Sequence, residues 1–196
     1  MAPVTISAGF AEHHRSEATR LFWQAFKAKL NPVMGPEAKA QRFLARVADP
    51  SHAISATALD GTLLGIAGYK TAQGAFIGGD WADLTAVYGT LGALWRAPLL
   101  SILERNLADD VLLMDGIFVT EAARGQGVGT RLLNAIKAEA ASRGLSQTRL
   151  DVIDTNPRAR ALYEREGFVA GERHDLGPLR LLFGFRHATT MIHKQA

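Results

Sequence analysis

An α/β domain, a sheet flanked by helices, is what this sequence predicts, and three observations predict it. The chain has 196 residues, of which 47% are hydrophobic and 21% charged, so burial can offset the conformational entropy that defeats more polar chains. Segments with an apolar period of two alternate along it with segments of period near 3.6, the patterns of strands and helices. One almost wholly apolar run, VLLMDGIFVT from Val111 to Thr120, leads through a glycine-rich turn into an amphipathic helix. The length fits one large domain more comfortably than two small ones, and residues 1–196 are read as a single domain.

Pro3 to Ala8 alternates apolar and small polar residues and reads as a first strand. Ala11 to Leu30 carries Leu21, Phe22, Ala25, Phe26 and Leu30 on one helical stripe, with Asn31-Pro32 and Gly35-Pro36 as stop and start signals. Glu37 to Val47 is a second helix with Phe43, Leu44 and Val47 inward. His52 to Leu59 and Leu63 to Lys70 flank Asp60-Gly61 and read as a hairpin. Asp80 to Trp95 places Leu84, Val87, Tyr88, Leu91, Leu94 and Trp95 at helical spacing, and Pro98 suits the first turn of a further helix reaching Leu107. Val111 to Thr120 follows as a mostly buried strand. From Val128 to about Arg143 a helix shows Leu132, Leu133, Ile136 and Ala140 on its inner face. Thr148 to Ile153 is a strand, Pro157 to Glu166 a short helix that Gly167 breaks, and Val169 to Asp175 and Phe185 to His193 are final strands.

Composition narrows the function. Formal net charge is only +3 and the basic residues are scattered, so nucleic acid is not an expected partner. The chain has no cysteine, which excludes disulfides, thiolate nucleophiles and Cys-based metal sites. MAPVTISAGF lacks the charged and apolar regions of a signal peptide. In the apolar stretch Leu84 to Leu103, Arg96 would sit at the interior of a membrane helix at a cost of about 2.5–3.5 kcal/mol. Pro98 follows it, and a buried helix pair is the better reading. The expectation is a cytoplasmic protein with no membrane contact. His13 and His14 are adjacent and point to different sides of a helix, while His52, His174, His187 and His193 stand singly, so no metal site is expected.

The unit R-x-x-G-x-G between strand and helix is the first functional signal. A helix start carries unpaired N–H groups and partial positive charge. Gly125, Gly127 and Gly129 remove the Cβ atoms that would keep a phosphate away, and Arg124 adds a charge able to grip two oxygens. The same glycines also suit a tight strand-to-helix turn and nothing more. A P-loop needs a lysine before the Ser/Thr, and Gly129-Thr130 has none between. A dinucleotide fingerprint is met imperfectly by Gly125, Gly127 and Thr130, with Asp151 and Asp154 near the right distance. Only about 65 residues remain after the turn, too few for a second nucleotide-binding half.

About thirty residues beyond the turn stands NPRARALYEREGF, Asn156 to Phe168. Together the two motifs resemble those of the GNAT acetyltransferase superfamily. Its acyl-CoA motif, R/Q-x-x-G-x-G/A, follows the fourth strand. Its next motif, N-x-x-A-x-x-L-Y-x-x-x-G-F, follows the fifth. Asn156, Ala159, Leu162, Tyr163, Gly167 and Phe168 fill the six named positions of the second. The likeness covers roughly Leu112 to Phe168, with residues 111–168 as the acyl-CoA-binding core. The first third agrees only in the order of its elements.

The resemblance implies a splayed, mixed and mostly antiparallel sheet of 6–7 strands flanked by helices, with the pair at 80–107 as an insertion between strands three and four. It implies acetyl-CoA as acyl donor, no metal, and a small-molecule or peptide amine as acceptor. Arg124 and the backbone N–H groups of Gln126, Gly127, Val128, Gly129 and Thr130, in the turn that Gly125 opens, would hold the diphosphate. Backbone groups of Ile117, Phe118 and Val119 would pair with pantetheine. Asn156 would contact that arm or cap the following helix. Tyr163 is the candidate acid for the departing thiolate. Asp115 is the candidate base, shorter than the glutamate many relatives carry, with Glu121 as the alternative. Absence of cysteine favours direct attack in a ternary complex. The inserted pair would wall the acceptor pocket, with Asp80 and Asp83 to attract a cation, or complete the core or a homodimer contact. A non-catalytic acyl-CoA-binding or sensing module and a dinucleotide-binding protein are the other readings.

Overall fold

The computed structural model describes residues 3–101, 107–175, 177 and 185–195. Its strands are β1 (Val4–Ala8), β2 (Ala53–Ala58), β3 (Leu63–Thr71), β4 (Gly74–Ala75), β5 (Val111–Val119), β6 (Gln147–Ile153), β7 (Val169–Asp175) and β8 (His187–Lys194). They form one sheet in the order β1-β2-β3-β5-β6-β8-β7, with β4 paired to β3. Every neighbouring pair is antiparallel except β5 and β6, so the mixed, mostly antiparallel sheet is as expected. β4 is the addition. Its two residues pair Ala75 with Lys70 and Gly74 with Thr71, too short a run to leave a periodic signal.

Strand alternation puts one set of side chains on each face, and helices cover both. Helices α1 (Arg15–Met34), α2 (Glu37–Val47) and α3 (Trp81–Ser101) bury Phe22, Trp23, Phe43, Leu44 and Leu84 against Ile66, Phe76 and Phe118. Helices α4 (Val128–Ser142) and α5 (Pro157–Arg165) close the other face, where Leu132, Leu133 and Ile136 meet Leu112, Met114, Leu150 and Met191. Each such side chain contributes about 1.5–3 kcal/mol on leaving water. The predicted inner face of α4 is buried at all four positions.

Several boundaries differ from expectation, each for a local reason. Residues Glu12–His14 form a 3-10 turn before α1. The rings of His13 and His14 lie together there, centroids 4.0 Å apart, not on opposite sides of a helix. α1 runs through Pro32 to Met34, past the expected stop. Val33 and Met34 are buried, and the end carbonyls find donors: Tyr88 Oη to Met34 O at 2.6 Å and Arg96 Nη2 to Gly35 O at 3.2 Å. Ala25 is exposed, whereas Ala18, Thr19 and Trp23 are buried. Val47 is only half-buried.

The helical pair exists, but its break is misplaced in the sequence reading. α3 bends at Gly89 (φ 72°, ψ 167°), and Pro98 lies inside its second half. A left-handed φ is what glycine supplies at little cost. The expected end of the pair near Leu107 falls on residues 102–106, outside the described residues. Leu84, Tyr88 and Ala93 face the core, while Leu91, Leu94 and Trp95 are 83%, 63% and 45% exposed. The bend at Gly89 rotates the second half, so one continuous stripe does not hold.

Candidate active site

The site is built around an opening in the sheet. β5 and β6 pair over three positions only, Val111 with Gln147, Leu112 with Thr148 and Leu113 with Arg149. Beyond Leu113, β5 pairs with β3 alone, and β6 pairs with β8 as far as Ile153 with Ala188. A wedge therefore opens between two central strands, with one backbone edge of each facing it. β5 also changes phase at the wedge. Gly68 is opposite Gly116 and Tyr69 opposite Met114, which leaves Asp115 as the extra residue of a bulge. Leu112 and Met114 face α4, while past the bulge it is Ile117 and Val119 that do so and Phe118 packs on Phe22 and Phe26.

The register says which backbone groups the wedge receives. Thr120 N–H bonds to Leu64 O at 2.9 Å, and Ile66 is opposite Phe118. In an antiparallel ladder the bonded positions alternate, so Phe118 belongs to the ladder with β3. Ile117 and Val119 turn their N–H and C=O groups to the wedge. Of the three residues expected to line it with backbone groups, two do.

Past the open end of β5, Glu121–Ala123 make a 3-10 turn and the glycine segment enters α4. Gly125 and Gly127 have φ of 75° and 77°, and a Cβ on either would meet nothing within 4 Å. Conformation, not crowding, requires glycine at both, and both face open space. Gly127 is the residue before α4, and Arg131 N–H to Gly127 O at 3.1 Å closes the first helical turn. The N–H groups of Val128, Gly129 and Thr130 are thus the unpaired donors of the helix start. Gln126 N–H instead turns back to Ala123 O at 3.4 Å, so its expected place among the diphosphate donors is weakened. Arg124 is exposed beside them. This arrangement fits a diphosphate: clustered donors, a positive helix end and no side chain in the way.

Asn156 Oδ1 accepts from Ala159 N–H at 3.2 Å and caps α5. Tyr163 is 8% exposed and packs on Phe168, ring centroids 5.9 Å apart. Burial pushes its phenol up to about 12. It belongs to the α4–α5 side of the sheet. Glu121 is an exposed residue of the turn.

Asp115 opens instead onto the α1–α3 side, where a cavity of about 390 Å³ lies among α1, α2, β4 and both halves of α3. Asp80 and Trp81 of the inserted helix line it, as do Lys29 and Lys70. The acidic pair at α3 is largely committed. Asp80 Oδ1 accepts from Asp83 N–H at 2.9 Å, a helix cap, and Arg46 Nε donates to Asp83 Oδ1 at 2.7 Å. Asp83 is therefore not available to attract a cation as expected.

Sequence reading singled out neither Lys70 nor a polar chain beside the wedge. There His174 Nε2 lies 3.3 Å from Thr190 Oγ1, which donates to Asp151 Oδ1 at 2.7 Å. These three residues are far apart in sequence and only the β6–β8–β7 pairing unites them. His52 is a satisfied core residue, with Nδ1 3.1 Å from Asp49 Oδ2 and Nε2 3.1 Å from Thr71 Oγ1. A more open hollow of about 710 Å³ near β1 includes Tyr69, Glu139 and Arg143. These three are paired with one another: Arg143 Nε with Glu139 Oε1 at 2.7 Å and Arg143 Nη2 with Tyr69 Oη at 2.9 Å. Among the described residues no group of side chains is placed to hold a metal. No helix among them is long and apolar enough to cross a membrane.

Comparison with known proteins agrees with this fold. Residues 15–168 match the acetyltransferase (GNAT) family, and the chain belongs to that family. A stretch of 56 residues, 29% of the chain, is 46% identical to mycothiol acetyltransferase of Jonesia denitrificans, of which it covers 18%. A 56-residue stretch is likewise 38% identical to thialysine N-epsilon-acetyltransferase of Bos taurus, covering 29% of this chain and 33% of that one. The chain thus spans a third or less of the length of these two relatives. Among solved structures, an N-acetyltransferase from Staphylococcus aureus Mu50 is similar with a TM-score of 0.67 at 13% identity, over 96% of this chain and all of that one. A GCN5-related N-acetyltransferase from Kribbella flavida gives 0.64 at 16% identity over 98% of each chain. Identities this low speak for the shared fold.

Proposed function

We propose that this protein transfers the acetyl group of acetyl-CoA to a primary amine by direct attack within a ternary complex. The observation that carries the reading is the wedge between β5 and β6, with unpaired helix N–H donors beyond its open end and Asp115 near its closed end. The donors of Val128, Gly129 and Thr130, with Arg124, would bind the diphosphate. The inward groups of Ile117 and Val119 would bind the amide-bearing pantetheine arm, directing the thioester toward the bulge.

The chemistry then divides across the sheet. On the cavity side, Asp115 accepts a proton from the acceptor ammonium, whose pKa near 10 otherwise hides its lone pair. The freed nitrogen attacks the thioester carbon, and a backbone N–H of the wedge stabilises the oxyanion. On the other side, Tyr163 donates its proton to sulfur as the C–S bond breaks, and the second nitrogen proton, released as the amide forms, returns through solvent to restore the phenol. A phenol held at about 12 is fully protonated at neutral pH, and a thiolate leaving into a desolvated cleft is itself a stronger base. CoA release from acetyl-CoA, measured against a panel of amines, tests the reading. Turnover of no amine, or binding of acetyl-CoA without amine-dependent CoA release, would favour a sensing module instead.

A further inference from the structure

The cavity at Asp115 carries information on its acceptor. At about 390 Å³ it sits at the small end of ligand pockets, roughly 300–1,000 Å³, which suits a small molecule. Phe22, Phe26, Phe43, Leu84 and Leu100 make its far wall, so the body of the ligand is apolar. The sheet floor is different. Lys70 of β3 is opposite Leu113 of β5, and Asp115 follows two residues along on the same cavity. A cation and an anion therefore share the cavity floor, with Asp115 at the bulge just past the partner of Lys70. Lys70 is half-buried and, among the described residues, makes no hydrogen bond or ion pair. A cation partly withdrawn from water into an apolar enclosure gains from a bound anion.

Granting acetyl transfer at Asp115 as proposed above, we infer that the acceptor is a small zwitterion, an α-amino acid with an apolar or aromatic side chain. Its amine lies toward Asp115 and the thioester, its carboxylate on Lys70, and its side chain against Phe22, Phe26 and Phe43. Only one carbon separates amine from carboxylate in such a ligand, which matches opposite charges sharing the floor. Lys70 is then the specificity residue of the site.

The test compares matched acceptors: phenylalanine with phenethylamine, and leucine with isopentylamine, by acetyl-CoA-dependent CoA release. For wild type, kcat/KM is expected to favour each amino acid over its decarboxylated partner by about 10- to 100-fold, the scale of hydrogen bonds to a charged group. Lys70→Met should collapse that ratio to about one, and Lys70→Arg should keep most of it. Equal or better use of the decarboxylated amines by wild type overturns the inference, and so does a Lys70→Met variant that retains the ratio. Calorimetry of phenylalanine with the CoA-bound protein gives a second readout independent of turnover, and absence of binding there also overturns it. Calorimetry of acetyl-CoA separates the two levels. Failure to bind acetyl-CoA sinks acetyl transfer itself, whereas acetyl-CoA binding with preference for uncharged amines sinks only the zwitterion.

Discussion

Tyr163 and Asp115 lie on opposite sides of the sheet, and their predicted effects differ accordingly. Because burial raises the Tyr163 phenol to about 12, no loss of activity from its ionisation is expected below about pH 11. The sign for stability follows from the same shift. The raised folded value means that this contribution is whole below about pH 10 and is lost as pH climbs toward 12. Replacing Tyr163 with Phe should lower kcat by about 10²-fold, the usual worth of a general acid, with little change in acetyl-CoA affinity. Full activity in that variant would remove Tyr163 from the mechanism. Asp115→Asn should cost about 10²-fold in kcat/KM near pH 7. The deficit should narrow as pH approaches 10, where the amine sheds its own proton; a constant deficit across pH would argue that Asp115 positions and does not deprotonate.

At the scale of elements, the starts of α4 and α5 make separate predictions. Gly127 holds φ at 77°, a conformation that costs an L side chain about 1–2 kcal/mol. Gly127→Ala should therefore lower the melting temperature and also weaken acetyl-CoA binding, because the donors of α4 shift with the turn. A variant that loses stability but binds acetyl-CoA unchanged would show the glycine to be a turn residue only. Asn156 caps α5 through Ala159 N–H, so Asn156→Ala should cost about 0.5–2 kcal/mol. Asn156→Ser should restore stability, and acetyl-CoA affinity then reports whether the amide also touches pantetheine. Where Ser restores both, the cap is the whole of its role.

For the molecule as a whole, a ligand that spans the wedge ties α4 to β5 and β6. Acetyl-CoA at about a hundred times its Kd should add roughly 2.7 kcal/mol of stability, or about 5–10 °C in a chain of this size. NAD should add none. The reverse result would restore the dinucleotide reading and discard the acyl-CoA one.

Much of this was open to reading in one dimension. Alternation at β6, the Asp60-Gly61 turn between β2 and β3, the four inward residues of α4, and the motifs at Arg124–Thr130 and Asn156–Phe168 all report local geometry. Period, glycine torsion and helix caps are properties of neighbours in the chain, so they leave a mark there. The bend of α3 at Gly89 was not legible, because a glycine in an apolar run is compatible with both a straight helix and a broken one. Packing of Tyr88 and Arg96 on the end of α1 selects between them. The bulge at Asp115, the choice of Ile117 and Val119 over Phe118, and the placing of Lys70 and Asp115 on one cavity depend on register between strands. So does the joining of His174, Thr190 and Asp151. The sequence by itself determined the family, the glycine turn into α4 and the candidate acid. Only the tertiary structure decided what lines the cavity at Asp115, since a cavity is made by residues far apart in the chain whose approach depends on the packing of the whole sheet.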